Sequence, residues 1–204
     1  MKGEVNLNNR KLKELVRFIP GVNQSRMGEK FENKIIVYYS QSDFELDFYF
    51  ENSVNKRKIS NFSFTKLSLK KGDVIISNTR QLAAMVSEEN ANKVLPMNFT
   101  KIDFLNDYLD KQYFLFLFNS YKEILHQKER EIQGNGPIQK IPLRSLGQFS
   151  IPYLDLAQQK LIGKAYVEML QIQKKLKTIS NLTEMLTYEI LEKSIMEAKY
   201  HDEE

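Results

Sequence analysis

The sequence predicts an α+β protein: a mixed part of strands and helices, residues 1–154, followed by a long helical part, residues 155–204. In the first part, short β-branched or aromatic runs alternate with turn signals such as Lys71-Gly72-Asp73. In the second part, Gly163 is the only glycine between Asp155 and Tyr200, and that stretch has no proline. The composition, 42% hydrophobic and 27% charged, is typical of a globular protein and not of a disordered chain.

The first part carries signals for several short elements. Asn106–Gln133 is predicted as a helix that ends at the turn Gly134-Asn135-Gly136-Pro137, since glycine and proline interrupt helices. Three apolar runs are predicted as strands: Lys34–Tyr39, Val74–Ile76 and Val94–Ile102. Pro96 assigns the last of these to an edge or bulged position, because proline has no N–H to donate to a neighbouring strand.

A fourth segment, Asp43–Tyr49, alternates polar and apolar residues, which is the period of a half-buried strand. A strand would place Asp43, Glu45 and Asp47 on one face, where three carboxylates could hold a divalent metal. A nuclease is the enzyme that this cluster would suit. The other interpretation is the solvated face of the strand, and the sequence favours it because no further nuclease motif accompanies the carboxylates.

The helical part has a heptad pattern. Apolar residues step by three and four positions, and eight of nine seam positions are apolar, which is typical of a coiled coil. The apolar seam residues are Ile162, Ala165, Met169, Ile172, Leu176, Ile179, Leu186 and Ile190, with the polar Thr183 between Ile179 and Leu186. One alternative is a single helix lying on its own domain. A helix of this length would overhang such a domain, so a partner helix is expected.

The composition excludes several kinds of chemistry. The chain has no cysteine, and its two histidines, His126 and His201, lie 75 residues apart, so thiolate and zinc sites are not expected. No glycine-rich phosphate loop or nucleophile elbow is present. The longest apolar run, Tyr113–Phe118, is too short to span a bilayer. We therefore expect a cytoplasmic protein with no membrane contact, no catalytic residues, no metal and no cofactor.

The charge is distributed unevenly along the chain. Residues 52–72 contain six basic residues and no acidic one, whereas residues 182–204 contain seven acidic and two basic residues. A basic patch with an acidic tail is a weak indication of nucleic-acid binding, and an ordinary solvated surface explains it as well.

The order of segments resembles the specificity subunit of type I restriction–modification systems, in a half-length form with one target-recognition domain. The resemblance depends on a series of segments: Lys11–Leu15 leading to Pro20-Gly21, Gly72–Ser77, the aromatic helix Tyr113–Ser120, Gly134-Asn135-Gly136 before Ile138–Leu146, Phe149–Tyr153, and Leu156–Ile162 opening the long helix. The chain departs from the family's usual pattern in having no tryptophan and in carrying Gln158-Gln159 at the helix start.

The resemblance implies a subunit that reads double-stranded DNA without being an enzyme. It implies a methyltransferase (M) subunit as partner and, in some assemblies, a restriction (R) subunit. Such a subunit needs cations for phosphates and side chains for base edges. On chemical grounds we expect these residues to be Gln24, Arg26, Lys56, Arg57, Lys58, Lys70, Lys71, Asn78 and Arg80, although each of them also fits a solvated loop.

Two further expectations concern partners. The helical part is expected to form an antiparallel homodimer, because residues 155–177 carry a net charge of +3 and residues 182–199 a net charge of −2. Antiparallel pairing sets the basic half of one helix against the acidic half of the other. The alternative function is an interaction protein derived from the same family, which binds related subunits through its coiled coil without reading DNA.

Overall fold

The structure, a computed structural model, describes residues 8–25, 36–51, 68–134 and 139–201, with side chains as far as Met196. The chain divides into two compact units, Met1–Val167 and Glu168–Glu204. The α+β class with a long C-terminal helix is confirmed. The strands are β1 Asn9–Lys11, β2 Val16–Pro20, β3 Val74–Ser77, β4 Leu82–Met85, β5 Phe99–Phe104 and β6 Ser150–Pro152. The helices are α1 Gln41–Phe48, α2 Lys111–Ser120, α3 Lys122–Glu131, α4 Leu143–Gln148 and α5 Leu156–His201, with a 3₁₀ turn at Leu12–Glu14.

Four strands form an antiparallel sheet in the order β2-β5-β3-β4. The predicted strand at Val74–Ile76 is confirmed as β3, whose four residues are all buried. A core of aromatic and branched side chains covers the sheet, including Tyr39, Phe44, Leu95 and Phe99. The Phe44 and Phe99 rings lie 5.8 Å apart, so α1 is packed directly on the sheet through its aromatic side chain.

The outer edge of β4 is closed by a side chain. Asn119, at the end of α2, accepts a hydrogen bond from the Ala83 N–H at 2.7 Å and donates one to the Ala83 carbonyl at 2.9 Å. Its amide thus imitates one residue of a neighbouring strand. Because an unpaired strand edge is a template for aggregation, this contact both satisfies the backbone and protects the edge.

The segment Asp43–Tyr49 is a helix, so the predicted strand is wrong here. Ser40 caps α1: its hydroxyl accepts from the Asp43 N–H at 3.1 Å, and the Asp43 carboxylate accepts from the Ser40 N–H at 2.9 Å. This reciprocal capping box satisfies two backbone donors at the helix start. Alternation over seven residues did not distinguish the two structures, whereas the Ser-x-x-Asp spacing indicates the helix.

Two other predicted strands are wrong in part. Lys34 and Ile35 lie outside the described residues, and at 36–39 only Tyr38 makes an isolated bridge, to Val94. The strand predicted from Val94 begins only at Phe99, because the chain turns at Pro96, whose carbonyl accepts from the Phe99 N–H at 3.0 Å.

The helix predicted over Asn106–Gln133 is two helices. Asp110 caps α2 by accepting from the Tyr113 N–H at 2.9 Å. The backbone at Tyr121 is extended, with φ −74° and ψ 120°, and separates α2 from α3. Of the turn predicted after α3, Gly134 has a positive φ of 110°, and the other three residues lie outside the described part.

The long helix α5 is confirmed, and its first turns dock tightly on the N-terminus of α2. The fully buried Gln159 accepts from the Asp110 N–H at 2.9 Å and donates to the carbonyls of Tyr108 and Leu154 at 3.0 and 2.8 Å. One turn later, a Cβ on Gly163 would lie 2.5 Å from the Tyr113 nitrogen. Only glycine allows this approach. None of the helices within the described ranges is long and apolar enough to cross a membrane.

Replacing Gly163 with alanine should lower the free energy of unfolding by about 1–3 kcal/mol, because the new methyl group would overlap backbone atoms of α2. Gly147→Ala is the matched control: that glycine is also helical, and its Cβ would meet only the Lys13 Cβ, at 3.4 Å. The control should be neutral or stabilise by up to about 1 kcal/mol. Urea unfolding measures both; equal stability of the two variants would contradict the close approach.

Candidate nucleic-acid interface and helix seam

The turn between β3 and β4, residues Asn78–Gln81, contains two of the predicted base-reading residues, Asn78 and Arg80. The turn is closed by a hydrogen bond from the Gln81 N–H to the Ser77 carbonyl at 2.9 Å, and Gln81 adopts a left-handed conformation with φ 54°. Asn78 and Arg80 therefore lie on the same hydrogen-bonded turn.

The side chain of Asn78 holds the turn in place. Its Oδ1 accepts from the Thr100 hydroxyl at 2.9 Å, and its Nδ2 donates to the Met97 carbonyl at 3.3 Å. Both ends of the amide are used within the protein, whereas reading adenine requires both ends to face the base. Its role as a base reader stays a prediction, and the geometry assigns it a structural contact.

Arg80 is the more accessible of the two. Its side chain is 44% exposed, and its Nη2 donates to the Glu45 carboxylate on α1, whose side chain is 50% exposed. A guanidinium has five N–H donors, so this contact leaves donors for a further acceptor. Arg80, a predicted base-reading residue, is thus paired with Glu45, one of the three carboxylates considered above as metal ligands.

The three carboxylates of α1 do not form a metal site, because they have three different partners. Asp43 pairs with the Lys93 ammonium at 2.8 Å, and Glu45 pairs with Arg80. Asp47 is fully buried. Within the part of the chain that the structure describes, no group of three or more histidines and carboxylates is placed to hold a metal ion. The helical geometry explains this, since 100° per residue turns Glu45 away from the other two.

The buried side chain of Asp47 holds α1 in place. Its carboxylate accepts from the Tyr39 hydroxyl at 2.7 Å, from the Ser87 N–H at 3.0 Å and from the Asn90 amide at 2.9 Å. Burial raises the pKa of Asp47, and these hydrogen bonds oppose that rise by stabilising the charged form. Burial, followed by the negative charge of Asp47, raises the pKa of Tyr39 as well.

Lys70 and Lys71 lie together in the turn before β3. Both are exposed, and Gly72 completes the turn with a positive φ of 77°. Lys71 pairs with Glu88 at 3.1 Å, with both side chains 70% exposed, so solvent screens this pair strongly. The two ammonium groups are accessible to an anionic partner.

The other predicted DNA-contacting residues are placed only in part. Gln24 is exposed. Arg26, Lys56, Arg57 and Lys58 lie outside the described residues.

Lys128, a buried lysine on α3 that was not predicted from the sequence, supports the Asn78–Gln81 turn. Its ammonium donates to the Gln81 carbonyl at 2.6 Å and to the Phe118 carbonyl, and lies 3.6 Å from the centre of the Phe118 ring. Burial lowers the pKa of Lys128 from 10.5 to about 7. No local pattern marks such a residue, because its acceptors are distant in sequence.

The predicted seam of α5 is largely solvent-exposed. In the first unit, Ile162 is half-buried and Ala165 exposed, while the neighbouring Tyr166 and Val167 are buried. In the second unit the exposed fraction runs from 40% to 61% for the seam residues Met169, Ile172, Leu176, Ile179, Leu186 and Ile190. A run of large exposed apolar side chains on one helix face is typical of an association surface.

Comparison with known proteins shows a likeness of fold. No protein-family model matches the sequence, and no curated protein matches it. Among solved structures, the chain is similar to the S subunit of a type I restriction–modification system from M. genitalium, with 15% identity, a TM-score of 0.50, and coverage of 91% of this chain and 44% of that one. It is also similar to the HsdS subunit from Thermoanaerobacter tengcongensis, with 18% identity, a TM-score of 0.51, and coverage of 85% and 39%.

A third similar structure concerns the assembly and conformational transition of the type I R-M system; identity is 19%, the TM-score 0.59, and coverage 91% and 44%. The resemblance to S subunits inferred from the sequence is therefore confirmed at the level of the fold. The chain spans less than half the length of the chains it matches.

The low pKa of Lys128 predicts a specific pH dependence. Above about pH 7 the folded protein binds one proton fewer at this site than the unfolded chain, whose lysine titrates near 10.5, so stability should rise with pH in this window. The slope is at most about 1.4 kcal/mol per pH unit. Lys128→Met should remove this contribution, whereas Lys122→Met, at an exposed position of the same helix, should keep it. Unfolding free energies measured from pH 7 to 9.5 test this; parallel curves for wild type and Lys128→Met would contradict it.

Proposed function

We propose that this chain is the sequence-specific DNA-binding specificity subunit of a type I restriction–modification complex. It directs a separate adenine methyltransferase, and in some assemblies a restriction subunit, to a bipartite DNA site. The observation that carries the proposal is the likeness to S subunits over 91% of the chain. In this proposal the chain acts in the cytoplasm, where it contributes recognition and assembly, and the chemistry belongs to its partner subunits. The chain itself needs no cofactor.

The first unit supplies the DNA-contacting surface in this proposal. Lys70 and Lys71 offer exposed cations for phosphates, and Arg80 offers a guanidinium suited to guanine. Asn78 supports Arg80 by fixing the turn that both residues share.

The long helix α5, which extends from the first unit through the second, supplies assembly. Two copies pair antiparallel through the exposed seam, centred on Leu176, so that Ile162 of one copy lies near Ile190 of the other. The basic half, residues 155–177, then lies against the acidic half, residues 182–199. Two recognition domains in one dimer read the two halves of an inverted repeat, whose spacing is set by the helix length.

The far part of α5 carries a second set of exposed apolar side chains outside the seam: Leu182, Met185, Tyr188, Leu191 and Ile195. A single partner helix packed on the seam cannot cover these side chains, because they point to other faces of α5. We assign this surface to the methyltransferase subunit. The methyltransferase subunit is expected to be recovered together with the chain on purification.

Replacing both Lys70 and Lys71 with alanine should weaken binding to duplexes of any sequence alike. Each lost phosphate contact should also reduce the steepness of log K against log salt by about 0.9. Fluorescence anisotropy over a salt series measures both quantities. The control, Lys122→Ala with Arg130→Ala, removes the same charge from exposed positions of α3 and should change neither as much.

Unchanged affinity and slope in the Lys70/Lys71 variant would show that this turn does not face DNA. A wild-type chain that binds no duplex, yet still binds the methyltransferase subunit, would support the alternative function of an interaction protein.

Introducing glutamate at both Ile172 and Leu176 should convert the dimer into a soluble monomer, because four buried like charges would meet at the centre of the seam. Light scattering after size-exclusion chromatography measures the mass. Gln173→Glu with Thr178→Glu adds the same charge to exposed flanks of the helix and should leave the dimer intact. A wild-type chain that is monomeric at tens of micromolar would refute the homodimer.

A further inference from the structure

We infer that Glu45 is a positioning residue for sequence readout: its carboxylate holds the Arg80 guanidinium in the orientation that reads guanine. The inference rests on the proposed function, and assigns a specificity-determining role to a residue outside the loops predicted to contact DNA. The contact between the Arg80 Nη2 and the Glu45 carboxylate joins α1 to the β3–β4 turn.

The carboxylate stands on a rigid support. Glu45 lies on α1 between Asp43 and Asp47, and both neighbours are tied down. Asp47 is fully buried with three hydrogen-bond donors at 2.7 to 3.0 Å, and Asp43 pairs with Lys93 at 2.8 Å. The Lys93 ammonium also donates to the Asn90 side chain at 2.7 Å, which closes the network. The helix backbone that carries Glu45 is therefore fixed by contacts that do not involve Glu45.

The guanidinium stands on an equally rigid turn. Asn78 is held by Thr100 and by the Met97 carbonyl, and the Gln81 carbonyl accepts from the buried Lys128. Arg80 lies between these two fixed residues. With both backbones fixed, the ion pair removes most of the remaining rotational freedom of the long Arg80 side chain, so less entropy is lost when it binds a base.

The charge of Glu45 also affects which DNA groups Arg80 can bind. A lone arginine at a DNA surface binds phosphates of any sequence, whereas a carboxylate beside it repels phosphate oxygens. The donors of Arg80 that Glu45 does not use can still form the bidentate pair with O6 and N7 of guanine. The pair therefore lowers affinity for DNA in general and favours a base contact, which raises specificity.

A simple surface ion pair would behave differently. Exposed pairs contribute little to stability and carry no sequence information. The molecule offers a matched example in Lys71 and Glu88, which lie 3.1 Å apart with both side chains 70% exposed. Glu88→Gln removes the same acidic charge from a similar setting, so it reports the general electrostatic effect of losing one carboxylate.

The experiment uses the full chain. Selection from a random duplex library first defines the sequence preferred by the wild type; binding to that duplex and to its single-base variants is then measured for Arg80→Ala, Glu45→Gln, the double variant and Glu88→Gln. Arg80→Ala should reduce discrimination at one guanine by about tenfold. Glu45→Gln should reduce discrimination at the same guanine by at least threefold and leave the thermal unfolding midpoint unchanged. In the Arg80→Ala background, Glu45→Gln should have no further effect on discrimination at that guanine.

Three results would overturn the inference while leaving the specificity function intact. They are a base preference unaltered by Glu45→Gln, an effect at a position that Arg80→Ala does not alter, and a uniform gain in affinity equal to that of Glu88→Gln. A wild-type chain that selects no sequence would instead refute the proposed function, and the inference with it.

Discussion

The docking of α5 on the start of α2 joins the first turns of the long helix to the rest of the first unit. Gln159 supplies hydrogen-bonding partners for the Asp110 N–H and two carbonyls, and Gly163 lets the two backbones meet. Tyr113 extends the same junction by donating its hydroxyl to the Pro152 carbonyl at 3.1 Å. Burial of this polar residue is tolerated because both ends of its amide are hydrogen-bonded. This junction decides which face of the helix is covered by its own unit and which face stays available.

The consequence is that the first turns of α5 serve the fold, whereas the later turns leave apolar side chains exposed, which we propose is for association. Tyr166 and Val167 are buried, whereas Ala165 on the seam is exposed. From residue 172 onward, apolar seam side chains such as Leu176 are more than half exposed. A helix of this kind gains little stability from propensity alone and much from a partner that buries its apolar face. In the proposed dimer, burial of this face would therefore add to the stability of the helix as well as to its function.

Two buried ionisable side chains organise the surface that we propose meets DNA. Asp47 fixes α1, and Lys128 fixes the turn between β3 and β4. Burying an ionisable group is costly unless it is hydrogen-bonded, and the partners of each of these two residues hold the backbone around them. Arg80 lies on the turn that Lys128 holds, Glu45 lies on the helix that Asp47 holds, and the two side chains contact each other at the surface. Rigid support beneath exposed polar side chains is what a site for specific recognition requires.

Features with a local signature could be predicted from the sequence. The strand β3 follows its turn signal, and the long helix follows from the absence of breakers, because each pattern reports neighbours only a few residues apart. The pairing of the seam stays a prediction. Alternation at Asp43–Tyr49 was misleading, since a segment of seven residues fits both periods and the capping box at Ser40 decides for a helix. The pairings across long sequence distances could not be predicted and are visible only in the folded chain: Asn119 with Ala83, Lys128 with Gln81, and Arg80 with Glu45. Such contacts arise when the chain folds back on itself, and no periodicity along the sequence encodes them.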